Sequence, residues 1–292
     1  MTRYGFVSKD QFMKSTSFAL LALPFLLSGE ARAHHVSGHG AGGANYFDPF
    51  SSQSRPPRSF VAATVGLNNL DDGLGQVVRY QLSGEYAVTS RFSIGATLPF
   101  MTTREKFLPE RTSIADVSVL FKGLVWRNPK PSLSLTLGSG VSFPTGDEVD
   151  GFGTGDFLFS PFVNFAWRLG RVDVYTTLGS TLAAAESVNP SLDFNAGVNV
   201  PLKGGSVPIH GFLAFQGSTT FTSDVLENGS TKAYLTPGLI FYLSDSLITT
   251  LGAQISILDT LKIKPGAALA KTSSILLSDV QVGVNFNINY FF

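Results

Sequence analysis

Residues 280–292 read V-Q-V-G-V-N-F-N-I-N-Y-F-F. One alternating set, Val280, Val282, Val284, Phe286, Ile288, Tyr290 and Phe292, is wholly apolar. The other, Gln281, Gly283, Asn285, Asn287 and Asn289, carries amides and a glycine until Phe291. Successive side chains of a strand leave on opposite faces, so this segment has a greasy face and an amide face. A strand that is apolar outside, amide-lined inside and closed by an aromatic residue is what the last strand of a bacterial outer-membrane barrel requires.

Working back along the chain, twelve strand-like segments follow one another at 59–67, 76–88, 91–103, 113–127, 132–143, 155–168, 171–182, 192–202, 207–219, 231–243, 246–258 and 275–292. In the second, Val78, Tyr80, Leu82, Tyr86 and Val88 oppose Arg79, Gln81, Ser83 and Glu85. In the sixth, Phe157, Phe159, Val163, Phe165 and Trp167 oppose Asp156, Ser160, Asn164 and Arg168. The polar faces hold mostly Ser, Thr, Asn, Gln and Gly, whereas a water-exposed sheet would carry many Lys and Glu. Pro161 and Pro237 fall inside strands, where each removes a ladder donor and marks a bulge or an end of pairing.

Connections alternate in length. Two residues join strands two and three at Thr89-Ser90, six and seven at Leu169-Gly170, and ten and eleven at Ser244-Asp245, and four join strands four and five at Asn128-Pro129-Lys130-Pro131 and eight and nine at Lys203-Gly204-Gly205-Ser206, while the intervening connections are longer. Short turns at one end and long loops at the other are how such barrels are built. Tyr86, Trp126, Trp167 and Tyr242 precede short turns, which fits an aromatic girdle at the periplasmic membrane boundary. The fold class is therefore all-β, an antiparallel transmembrane up-and-down barrel of about twelve strands. Its last strand pairs with its first, because lipid supplies no partner for a free edge. Phe292 is the candidate assembly signal, read by the barrel-assembly machinery, and outer-membrane lipid is the expected surrounding. An even strand number puts both termini on the periplasmic side.

Charged residues make up 14% of the chain and the formal net charge is zero, so no basic surface for nucleic acid is expected. Cysteine is absent, which removes disulfides, thiolate metal sites and Cys nucleophiles. Phe18–Leu27 is a short apolar core after Lys14, followed by Ala31-Arg32-Ala33, a small-x-small cleavage pattern, so residues 1–33 read as a signal peptide. Met13 would start a more ordinary leader than Met1. Residues 34–58 are rich in Gly, Ser, His and Pro without a period and form an irregular arm or lumen plug before the barrel at 59–292. His34, His35 and His39 cluster in that arm; with the new α-amine they form a nitrogen-rich set for Cu or Zn. The competing interpretation is a plain polar arm.

Strand parity points Arg79, Glu85, Arg91, Asp116, Lys122, Asp156, Arg168, Asp173, Asp193 and His210 into the lumen, with Asn285, Asn287 and Asn289 from the last strand. Inside a barrel such groups pair with one another and set the field that a solute meets. Acids and bases nearly balance, so strong ion selectivity is not expected. The acidic loop holding Asp147, Glu148, Asp150 and Asp156 could ligate a divalent cation through oxygen, against the simpler reading of a solvated loop. Gly151-x-Gly153-x-Gly155 opens no helix of a βαβ unit and is not a nucleotide site. No G-x-S-x-G elbow accompanies His210 or the lumen serines, so no enzyme is expected.

Residues 139–165 read S-G-V-S-F-P-T-G-D-E-V-D-G-F-G-T-G-D-F-L-F-S-P-F-V-N-F. A strand ending in F-P-T-G-D, a loop and a G-x-G-x-x-D-type opening of the next strand resemble a family of bacterial outer-membrane barrels linked to the MetA pathway of phenol degradation. Leu98-Pro99-Phe100 followed by Ile114-Ala115-Asp116-Val117 is similar to the same pattern one hairpin earlier. The resemblance implies a channel or transporter for small solutes, aromatic or hydrophobic ones included. Two other readings remain open: a metal-linked role of the histidine arm, and a surface-binding protein for which the barrel is only an anchor.

Overall fold

The computed structural model describes residues 56–70, 75–105, 109–129, 132–148, 152–184, 190–202, 207–220, 231–259 and 280–292. They form β1 (Phe60–Leu70), β2 (Gly75–Thr89), β3 (Phe92–Glu105), β4 (Arg111–Ile114), β5 (Val117–Pro129), β6 (Ser132–Phe143), β7 (Leu158–Leu169), β8 (Val172–Ala183), β9 (Ser191–Pro201), β10 (Ile209–Thr220), β11 (Thr231–Tyr242), β12 (Leu247–Asp259) and β13 (Val280–Phe291). Both β4 and β5 pair with β3, β4 along its distal half and β5 along its proximal half. They are two pieces of one stave, so the thirteen strands make twelve staves. Every stave runs antiparallel to its neighbours, and β13 pairs with β1 from Phe60↔Phe291 to Leu70↔Val280, with one irregularity between Asn69 and Leu70. The barrel is closed, as the amide-faced last strand required.

The strand boundaries agree with the periodicity to within a few residues. Residues 155–157, assigned to the sixth strand from sequence, instead belong to the loop before β7; residues 275–279 lie outside the described residues. Neither proline shifts the register. Pro161 pairs with Ser139 of β6, while the β7–β8 ladder passes from Phe159↔Leu182 to Phe162↔Gly179. Likewise Pro237 pairs with Leu213, and the β11–β12 ladder skips from Leu235↔Ile255 to Gly238↔Gly252. A residue without an N–H leaves a gap on one side only. Gly170, at φ +63°, makes the tight β7–β8 turn, a conformation that glycine adopts at no steric cost.

The outer surface is apolar along the staves: Leu82, Val125, Phe165, Leu251 and Phe286 are all among the exposed large hydrophobic side chains. Strict alternation from Ser118 and Lys122 would turn Trp126 inward. A bulge between Leu124 and Trp126 inserts one residue, and Trp126 pairs with Leu135 on the outer face.

Candidate functional site

The inner face of the barrel brings together side chains from every stave, and it divides into three levels. At the short-turn end lies an apolar cluster of Tyr175, Phe212, Ala214, Ile240 and Ile248, with Tyr242 and Phe291 packed against it. The His210 and Tyr242 rings lie 4.8 Å apart at 56°. Beside this cluster the Lys122 ammonium donates to Glu85 at 2.8–2.9 Å, and both side chains are fully buried. The Arg58 backbone N–H donates to the same carboxylate at 3.1 Å.

The middle level is an amide and hydroxyl belt. Asn287 Nδ2 donates to Thr64 Oγ1 at 2.6 Å across the closing seam, and Asn289 Nδ2 donates to Asn287 Oδ1. Gln254 and Gln216 approach across two staves at 3.5 Å. Asn199, Thr236, Thr250 and Gln254 are fully buried.

At the long-loop end a chain segment folds inward. Between β4 and β5, Asp116 occupies an interruption in the pairing with β3. Its Oδ1 accepts from the Gly146 N–H at 3.0 Å, and its Oδ2 from the Thr154 N–H and hydroxyl at 2.7 Å each. Thr145 ties the same point by donating its hydroxyl to the Ala115 carbonyl at 3.0 Å and accepting from the Val117 N–H at 2.9 Å. The Phe152 and Gly153 N–H groups both donate to the Asp147 carbonyl. The loop thereby seats Phe152 against Val77, Met101 and Ala115 on the inner wall. A Cβ on Gly153 would lie 2.7 Å from Asp116 Oδ1 and 2.5 Å from the Gly146 carbonyl oxygen, so only glycine fits there. The F-P-T-G-D and G-T-G-D stretches are thus latched together on Asp116 against the inner wall. A carboxylate accepting several N–H and O–H bonds makes a strong, charge-assisted fastening.

The inner wall holds Glu85, Lys122, Asn285, Asn287 and Asn289 as parity required. Arg79 is also inward, its guanidinium 3.7 Å from Met101 Sδ. Asp193 accepts from Thr181 at 2.9 Å and Ser191 at 3.2 Å. His210 faces Tyr242 inside. Asp116 and Asp156 are buried in the latch rather than presented to the open lumen, and Asp156 Oδ1 accepts from the Phe157 N–H at 2.7 Å. Arg91 corrects the expectation: it sits in the β2–β3 turn and is exposed, because the chain leaves the ladder there. Arg168 and Asp173 face one another at the rim, 2.7 Å apart with Arg168 59% exposed, so they form a surface pair of small energetic weight. Tyr86, Trp126 and Trp167 point outward near the short turns. Tyr242 does not: it pairs with Ile248 on the inner face, and Tyr290, outward and 50% exposed, stands at the outer boundary instead. His34, His35, His39 and Asp150 lie outside the described residues, and among those described no group of three His, Cys, Asp or Glu is placed to hold a metal.

Sequence reasoning missed the inward Tyr175, Phe212, Ile240 and Ile248. Tyr175 was legible, since it shares parity with Asp173 and Thr177. It also missed Lys232, which is buried on the inner face opposite Ser218.

Residues 55–259 match the model of a family described as "Putative MetA-pathway of phenol degradation". No curated protein matches the chain. Among solved structures the barrel is similar to an outer membrane channel from Pseudomonas putida F1, with a TM-score of 0.58 and 10% identity over 85% of this chain and 100% of that one. The NanC porin is similar at a TM-score of 0.50 and 8% identity, over 80% of this chain and 98% of that one. At these identities the likeness is one of fold, a closed barrel of the outer-membrane type.

Proposed function

Because the chain belongs to the family of the MetA pathway of phenol degradation, we propose that it is an outer-membrane channel for small solutes. One observation carries this reading: a closed wall with an apolar outer face and a largely polar inner face, with a loop latched to the inside of it at the long-loop end. The outward Tyr86, Trp126, Trp167 and Tyr290 fit a boundary girdle at the short-turn end and support the reading that this end, with both termini, faces the periplasm. Inside the lumen Lys122 and Glu85 neutralise one another, and rings cluster at the short-turn end. Both features favour a neutral solute with an aromatic or apolar body. The two structural relatives named as a channel and a porin support passage rather than catalysis.

Planar-bilayer recordings of the refolded protein test this reading. Unitary conductance is expected, and it should rise in Asp116→Ala, which frees the loop at Gly146 and Thr154. A folded Asp116→Ala barrel that conducts no better than the parent would show that the latch does not narrow the path. Silence from the intact chain, from Asp116→Ala and from a chain lacking the arm would overturn the channel reading.

Phe292 acts in assembly rather than in stability. It is 67% exposed on the outer face and its N–H bond to the Ser59 carbonyl is long, 3.4 Å. Deleting it should leave refolding in detergent unchanged but lower the outer-membrane level in cells. Equal membrane levels for the two chains would remove the assembly role.

A further inference from the structure

Three inward rings lie back across the stave beside them. In one row of the register, Ala166, Tyr175, Gly197, Ala214 and Thr236 follow one another from β7 to β11. Of these five only Tyr175 carries a ring. A Cβ on Gly197 would overlap the Tyr175 hydroxyl, Cζ and Cε2, so the tyrosine reaches across β9 over the glycine instead of standing out toward the barrel axis. Phe212 does the same from β10. A Cβ on Gly238 would overlap its Cε1 and Cζ, and one on Gly252, a stave further on, would come within 3.1 Å of its Cζ. Phe162 lies in the same manner over Gly138 of β6, nearer the long-loop end.

A ring laid over a glycine stabilises a sheet, since it covers strand surface that has no side chain of its own. Inside a barrel the pairing has a second consequence. The ring offers apolar contact to the lumen, while the glycine takes up space that the ring would otherwise need from the bore. Tyr175 and Phe212 belong to one packed cluster. Ala214, opposite Gly197 and two residues from Phe212 on the same face, belongs to it as well and adds little bulk.

We propose that Tyr175 and Phe212 are the contacts by which this channel selects an aromatic solute, and that Gly197 keeps the Tyr175 ring out of the solute's path. The inference rests on the channel reading and adds to it the residues that touch the solute. An aromatic ring resting on either side chain gains over a saturated ring of the same size by about two- to tenfold in affinity, because aromatic pairs attract beyond the area they bury. Gly197 is the sensitive position. The three atoms nearest its absent Cβ all belong to the Tyr175 side chain, so an added methyl group moves the tyrosine and not the backbone.

The chain has no cysteine, so Ala214→Cys places a single thiol beside both rings. Its labelling by a small water-soluble thiol reagent is followed in the refolded full chain, with phenol or cyclohexanol as competitor. Phenol should slow labelling severalfold more than cyclohexanol at equal concentration, and adding Phe212→Leu should remove most of that difference. A thiol that the reagent never reaches overturns the proposal, because a solute could not reach the rings either. Equal protection by the two competitors overturns it as well. Gly197→Ala should slow labelling without any competitor and lower the unitary conductance, and Gly197→Ala/Tyr175→Ala should recover both. No change in the single variant, or a loss that persists once the ring is gone, would overturn the role of Gly197. Phenol-selective protection in a barrel that passes no current keeps the site and removes the channel reading, whereas current without selective protection keeps the channel and removes the site.

Discussion

Lys122→Met should destabilise the folded barrel by about 3–5 kcal/mol, the cost typical of stripping one partner from a buried ion pair. Lys122 and Glu85 meet at 2.8 Å with both side chains wholly buried, so the remaining carboxylate would lose its direct ion-pair partner in a place shut off from solvent. The N–H of Arg58 would remain on it, but one backbone donor does not offset a buried charge. The double variant Lys122→Met/Glu85→Gln removes both charges and should recover most of the loss, since an apolar replacement of a buried pair is often neutral. Guanidinium unfolding in detergent micelles, followed by intrinsic fluorescence, gives the comparison. A single variant within about 1 kcal/mol of the parent would mean that solvent reaches the pair and screens it.

The staves were legible in the sequence because lipid and lumen impose different chemistry on alternate residues, and a period of two survives wherever that contrast holds. It fades where both faces are apolar. Ile209–Phe215 and Leu239–Tyr242 are nearly unbroken apolar runs, because Phe212 and Ile240 fill the inner cluster while Leu213 and Leu239 face outward. The place of Tyr242 before a turn points to the girdle, whereas register puts it beside Ile248 inside. Trp126 shows the opposite case: its outward position depends on a bulge that no periodicity reveals. The latch was half visible. Its glycines and acids stood out as a motif, but the partner carboxylate, Asp116, lies 30–38 residues away in sequence and at a break in a stave. Only the closed sheet brings them together.

Phe286→Arg should cost about 2–4 kcal/mol in a lipid bilayer, and Tyr290→Arg only about 0–1, because a cation on the outer face is penalised by its depth. Phe286 lies midway along β13, outward between Val65 and Leu251 on the adjoining staves, and is 41% exposed. Tyr290, on the same face, is 50% exposed close to the short-turn end, where an arginine can reach water and headgroups. In both variants the guanidinium replaces an aromatic ring of similar exposure, so lost contacts are comparable and the difference isolates the surroundings of the wall. Reversible unfolding from phospholipid vesicles measures it. A barrel that carries this face in water would show two small and similar changes, whereas a large loss confined to Phe286→Arg places the middle of β13 in hydrocarbon. The amide side chains on the alternate positions then have only the lumen to face, which ties the polarity of the interior to the membrane outside it.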